Sequence, residues 1–136
     1  MRVITLLLLA GVLGSCSTAP QPTMRSAEGQ REYERLIAGK VAGPPVNCLP
    51  SFNANDMVVI DERTIAYRVG GARTYINTMR GECDGLGRGN ALVTRSFGSG
   101  ETCSGDIARV ADLTSHTVVG SCMFGEFTPY ARPPVR

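Results

Sequence analysis

Apolar residues are distributed along this chain in three successive regimes, and each predicts a different element. Positions 3–13 form the one long apolar run, eleven residues dominated by leucine, valine and isoleucine, and Gly14, Ser15 and Cys16 close it. Over residues 25–38 the spacing turns helical: Tyr33, Leu36 and Ile37 stand at i, i+3 and i+4 among charged residues, and Gly39 suits a C-terminal cap. Gly29 weakens that helix, which is expected to lay a single stripe on the domain. From Val46 onward the apolar positions alternate in short runs separated by Gly, Asp and Asn, the pattern of antiparallel β structure.

Strands are expected at 57–60, in a hairpin over 64–77, and at 91–97, 107–111 and 117–124, about six in all. The fold class is therefore mainly β: a small antiparallel sheet, as a sandwich or partly open barrel, with a short N-terminal helix. Gly70 and Gly71 suit a two-residue primed turn, whose positive φ glycine adopts freely. That turn would set Val69 opposite Ala72, Tyr67 opposite Thr74 and Ile65 opposite Ile76 on an apolar core face. The other face would set Arg68 opposite Arg73 and Ala66 opposite Tyr75, and two facing arginines require solvent. Arg68, Arg73 and Tyr75 are accordingly the candidate surface for an anion or a partner.

The first apolar run is too short to be a permanent membrane span, which needs roughly 20 residues. With Arg2 before it and small residues after it, it has the order of a cleavable signal. Leu13-Gly14-Ser15-Cys16 resembles the bacterial lipobox, and that resemblance implies cleavage before Cys16 and a diacylglycerol on its thiol. Several acyl chains, each methylene contributing about 0.8 kcal/mol, would anchor the chain stably. Ser17, not Asp, follows Cys16. By resemblance to the sorting rule of Gram-negative lipoproteins, this implies the periplasmic face of the outer membrane. The expected organisation is a signal peptide over 1–15, a lipidated Cys16 with a Pro20- and Pro22-bearing tether and short helix over 16–45, a β domain over 46–128, and a loose tail rich in Pro and Arg over 129–136.

Five cysteines are an odd number, but a lipidated Cys16 leaves four: Cys48, Cys83, Cys103 and Cys122. In an oxidising envelope an even set reads as two disulfides. Structural zinc usually takes close Cys-x-x-Cys pairs, whereas the nearest two cysteines here are nineteen positions apart, so no metal is expected. Four cysteines allow three connectivities. A turn over 112–116 brings positions near 103 close to positions near 122, which selects Cys103–Cys122 and leaves Cys48–Cys83.

Cys48, the run Cys83-Asp84-Gly85-Leu86, the run Cys103-Ser104-Gly105-Asp106 and the segment from Gly120 to Phe127 together resemble an uncharacterised family of small proteobacterial lipoproteins, a domain of unknown function. The resemblance covers about residues 46–129. It implies the anchor, paired cysteines and a compact β domain, and it carries no activity.

Candidate chemistry is sparse. His116, the one histidine, sits in an expected turn and would need distant partners such as Asp106 and Ser99 to act as a general base. Gly98-Ser99-Gly100 lacks the first glycine of a nucleophile elbow, because Phe97 stands there. Gly85-Leu86-Gly87-Arg88-Gly89-Asn90 departs from the dinucleotide fingerprint at Asn90. The acidic residues do not alternate as a calcium loop requires, and Asp106 is expected to bond loop backbone. After cleavage thirteen basic residues face twelve acids, a balance that argues against nucleic-acid binding. The expected function is that of a non-catalytic, cofactor-free envelope protein that binds a protein or an envelope polymer. The alternatives are an inhibitor of a lytic enzyme, inserting residues 97–101, and a receptor or hydrolase with a site assembled from distant residues.

Overall fold

The computed structural model describes residues 25–50, 53, 56–81, 83–95 and 100–134. Cys16 and the tether 17–23 lie outside the described residues. The described residues hold one helix, α1 (Ala27–Ile37), and ten strands: β1 (Val41–Ala42), β2 (Cys48–Pro50), β3 (Met57–Asp61), β4 (Thr64–Val69), β5 (Arg73–Thr78), β6 (Ala91–Thr94), β7 (Glu101–Cys103), β8 (Ile107–Ala111), β9 (Val118–Met123) and β10 (Phe127–Ala131). They make three small antiparallel sheets, in the orders β1-β10-β5-β4-β3, β2-β7 and β6-β8-β9. None closes into a barrel.

Helix α1 starts where its chemistry dictates. The Ser26 hydroxyl accepts from the Gly29 amide at 3.0 Å, capping the first turn, and Gly39 takes the positive φ of 69° just past the end. Gly29, unfavourable for a helix, is needed for contact: a Cβ there would lie 2.8 Å from the Ile60 carbonyl oxygen of β3. The stripe of Tyr33, Leu36 and Ile37 packs on Val58, Ile60, Ala66 and Ile76 of the five-stranded sheet, the expected use of this helix.

The opposite face of that sheet presents Ile65, Tyr67, Tyr75 and Phe127 to the main core. Ala108, Val110 and Cys122 of the three-stranded sheet and Leu49 of β2 meet them there, with Phe124, Met79, Cys83 and Leu86 from the connections. The layers thus run helix, five-stranded sheet, core, three-stranded sheet.

The β4–β5 hairpin corrects the expected register. Val69 pairs with Arg73, Arg68 with Thr74, Tyr67 with Tyr75, and Ala66 with Ile76. The loop holds three residues, Gly70, Gly71 and Ala72, not two, and one extra residue turns every β5 side chain to the other face. Both faces of the hairpin are buried, because α1 covers the one expected to be wet.

The cysteine pairing is also corrected: the disulfides are Cys48–Cys103 and Cys83–Cys122. The expected pairing extended the β8–β9 hairpin outward to Cys103. Instead the chain turns at Gly105, with φ 95°, and β7 pairs with β2, setting Cys103 opposite Cys48. Cys122 faces inward opposite Ala108, where buried Cys83 meets it.

The third correction concerns the C-terminus. Residues 129–131 belong to β10, which lies between β1 and β5, with Phe127 fully buried and Tyr130 opposite Thr74. Pro129 hid this strand; it faces the β1 side just past the end of that two-residue strand, where its carbonyl accepts from the Gly43 amide at 2.7 Å and no strand pair calls on its missing N–H.

Candidate functional site

An open cleft of 1540 Å³ lies between α1, strand β3, the β3–β4 turn and the loop 86–88. Apolar side chains of Val59, Met79 and Leu86 contribute to its lining, and charged ones surround them. The charges are largely paired. Arg25 reaches Asp61 at 3.2 Å and stacks over the Tyr33 ring at 4.1 Å. Asp61 also accepts from the Arg63 amide at 2.8 Å through its other oxygen, closing the β3–β4 turn. Arg88 bonds Glu62 at 2.8 Å and Arg35 bonds Glu32 at 2.6 Å. The Arg35 hydrogen bond holds the Glu32 carboxyl below its usual range. A carboxylate held ionised by an arginine is a poor proton donor near neutrality, so Glu32 is not suited to act as a general acid.

A second surface lies on the far layer. Along β6, β8 and β9 the inward positions Leu92, Ala108, Val110 and Cys122 supply the core, and alternate positions point outward. Outward Val93, Ile107, Val118 and Met123 are 47%, 57%, 59% and 44% exposed. Arg109, between Val93 and Ser121 across the strands, is the charged residue among them. The β8–β9 turn adds Leu113 at 63%. A solvated sheet face usually alternates to polar side chains; this one does not.

The family model for a family of unknown function, DUF6491, matches residues 1–132. The chain belongs to DUF6491. The match runs from the first apolar run through β10, so the family unit includes the last strand of the five-stranded sheet. No curated protein and no solved structure matches the chain.

In this DUF6491 chain the residues nominated from sequence are dispersed. Arg68, next to last in β4, lies on the α1 side and is ion-paired with Asp56 at 2.8 Å. Arg73 and Tyr75 belong to the other face, where Tyr75 is 9% exposed and its hydroxyl lies 3.5 Å from the Arg73 guanidinium. The anticipated Arg68, Arg73 and Tyr75 surface is therefore not one surface; the three-residue loop separates its members.

His116 stands exposed in the β8–β9 turn with φ 56°. Asp106 precedes β8 and accepts from the Cys103 amide at 2.7 Å, the backbone role expected of it. The five residues of β8 separate the two by about 17 Å, far beyond hydrogen-bond reach. Ser99 and most of the segment 97–101 lie outside the described residues. The loop 85–90 is a structural turn: Leu86 is fully buried and the Asn90 side chain donates to the Gly85 carbonyl at 3.0 Å. Potential ligand atoms of Cys48, Glu101 and Cys103 lie within 4.8 Å of one another, but the two sulfurs are bonded to each other and offer no thiolate.

Sequence reasoning missed the outer face of the three-stranded sheet. Its signal was present: Val118 and Val119 are adjacent, so a strand of period two exposes one of them, and Ile107 shares a face with Arg109.

Proposed function

We propose that this chain is a lipid-anchored envelope protein, non-catalytic, whose disulfide-stapled β domain serves as a binding or structural module on the periplasmic face of the outer membrane. The observation that carries the reading is the pairing of Cys48 with Cys103 and Cys83 with Cys122, which leaves Cys16 as the single cysteine outside the disulfides, at the end of the lipobox. Two disulfides in a small domain suit an oxidising compartment. A cysteine left over from the two disulfides and placed directly after Leu13-Gly14-Ser15 suits lipidation. The placement of Ser17 favours sorting to the outer membrane. The ion-paired cleft and the apolar sheet face favour binding over turnover.

Metabolic labelling with palmitate, with Cys16→Ala as control, tests the anchor. Label is expected on the native chain and lost in the variant; label retained by the variant would overturn the reading. Crosslinking in intact envelopes tests the binding role. A defined, stoichiometric partner or polymer adduct is expected, and repeated failure to find one counts against it.

A further inference from the structure

We propose that the outer face of the three-stranded sheet, with Leu113 at its hairpin turn, rests on the surface of the lipid bilayer. The proposal deepens the anchored reading above and rests on it. Eight large apolar side chains are exposed among the described residues, and five of them, Val93, Ile107, Leu113, Val118 and Met123, belong to this face and its turn. That concentration is unlike a scatter of single exposed residues, and it makes this face the candidate contact surface.

Three observations select lipid as the occupant. First, the face formed by Val93, Ile107, Val118 and Met123 carries one charge, the cation Arg109, which has no acidic partner among the described residues. An aliphatic sheet face with an arginine complements acyl chains beneath anionic phosphates, and the carboxylate beside Leu113, that of Asp112, is occupied by the Thr114 and Ser115 amides. It does not complement itself, since a second copy would bring another arginine to the same face.

Second, the area is small. Three strands about 4.8 Å apart and about 17 Å long present roughly 200–300 Å², whereas a stable protein partner needs about 800 Å² on each side. The face also lacks the tyrosine and tryptophan anchors on which protein interfaces depend. A membrane contact needs less area, because the anchor already holds the domain beside the bilayer and makes the second contact intramolecular.

Third, the tether reaches. Nine residue steps join Cys16 to Arg25, which Asp61 and Tyr33 hold on the domain, at most about 32 Å when extended. Helix α1 lies on the layer opposite the three-stranded sheet, and packed sheets stand about 10 Å apart. The tether is long enough to pass around the domain and let the far sheet face the lipid.

The chain contains no tryptophan, so one introduced indole reports a single place. Val118→Trp and Leu113→Trp probe the face and its turn, and Val41→Trp, at a position 63% exposed on the other sheet, is the control. The anchored full chain is reconstituted in vesicles of phosphatidylethanolamine and phosphatidylglycerol, with lipids brominated on the upper acyl carbons as quencher. Flotation with the vesicles reads the anchor, and quenching reads the face.

The indoles at 118 and 113 are expected to be blue-shifted and quenched at least about two-fold, as for side chains sunk a few ångströms below the headgroups, with the control near its unquenched intensity. Replacing phosphatidylglycerol by phosphatidylcholine should weaken the quenching. A chain that floats while 118 and 113 stay unquenched overturns the proposal and leaves the anchor standing. An unquenched blue shift that grows with protein density identifies a second copy as the occupant, and equal quenching at all three sites means nonspecific contact; either overturns the proposal. A chain that does not float overturns the anchored reading and this proposal with it. Leu113, 63% exposed in a turn, contributes to no core cluster, so Leu113→Trp remains informative if Val118→Trp fails to fold.

Discussion

Asn77 is a fully buried polar side chain that joins two sheets. Its amide nitrogen donates to the carbonyls of Gly125 at 2.8 Å and Glu126 at 3.3 Å, and its oxygen accepts from the Gly125 amide at 3.2 Å. The chain changes sheets at this point, between β9 and β10, and no strand ladder satisfies its backbone there. Gly125 is required as well, because a Cβ would run into the Thr78 carbonyl oxygen. Asn77→Ala should destabilise the fold by about 2–4 kcal/mol, leaving buried backbone groups unpaired, and chemical denaturation measures this. Tyr67 makes a different claim at the same scale. Burial pushes its phenol up to about 12, above the ordinary value near 10. The folded chain therefore keeps that proton after the unfolded chain has lost it. This contribution is complete below pH 10 and falls as pH rises from 10 to 12, by up to about 3 kcal/mol. Denaturation curves across that window should show Tyr67→Phe losing less stability with pH than the native chain.

At the scale of elements, what could be read from sequence divides by how local the deciding physics is. Helix α1 and strands β3, β8 and β9 were legible because capping and alternation act within one segment. The hairpin register was not, since Gly70-Gly71 and Gly70-Gly71-Ala72 are both sterically open and tertiary packing chose between them. Helix α1 covers the face that Arg68 had assigned to water, so Ala66, expected there, is buried. The disulfide pairing followed from where β7 goes, a three-residue strand too short to signal itself. Strand β10 was hidden by Pro129 although it lies inside the largest sheet. Truncation tests its role. A chain ending at Arg132 should keep its melting temperature within a few degrees. One ending at Glu126 loses buried Phe127 and both ladders of β10, at least about 3–5 kcal/mol for the aromatic alone. It should show no cooperative transition in far-UV circular dichroism; a normal melt would mean that β10 is dispensable.

For the whole molecule, the two disulfides stand in different surroundings although their loops are of similar length, 55 and 39 residues, and each contributes about 4 kcal/mol by restricting the unfolded chain. Cys48 and Cys103 are partly exposed on the two-stranded sheet, while Cys83 and Cys122 are buried in the main core at 0% and 5% exposure. A thiolate must reach a sulfur to reduce it. Cys48–Cys103 should therefore be cut in the folded protein and Cys83–Cys122 only when the core opens. Timed reduction with a small thiol, alkylation and peptide mass mapping should find Cys48 and Cys103 labelled first. The second reduction should then track global stability. In the Asn77→Ala background, a loss of about 2 kcal/mol raises the open population about 30-fold, so reduction of Cys83–Cys122 should accelerate by that factor. Reduction of Cys48–Cys103 should barely change, because its exposure does not depend on opening the core. Equal acceleration of both would mean that the two-stranded sheet opens only with the rest of the molecule, and first labelling at Cys83 and Cys122 would overturn the assignment of which disulfide the core protects.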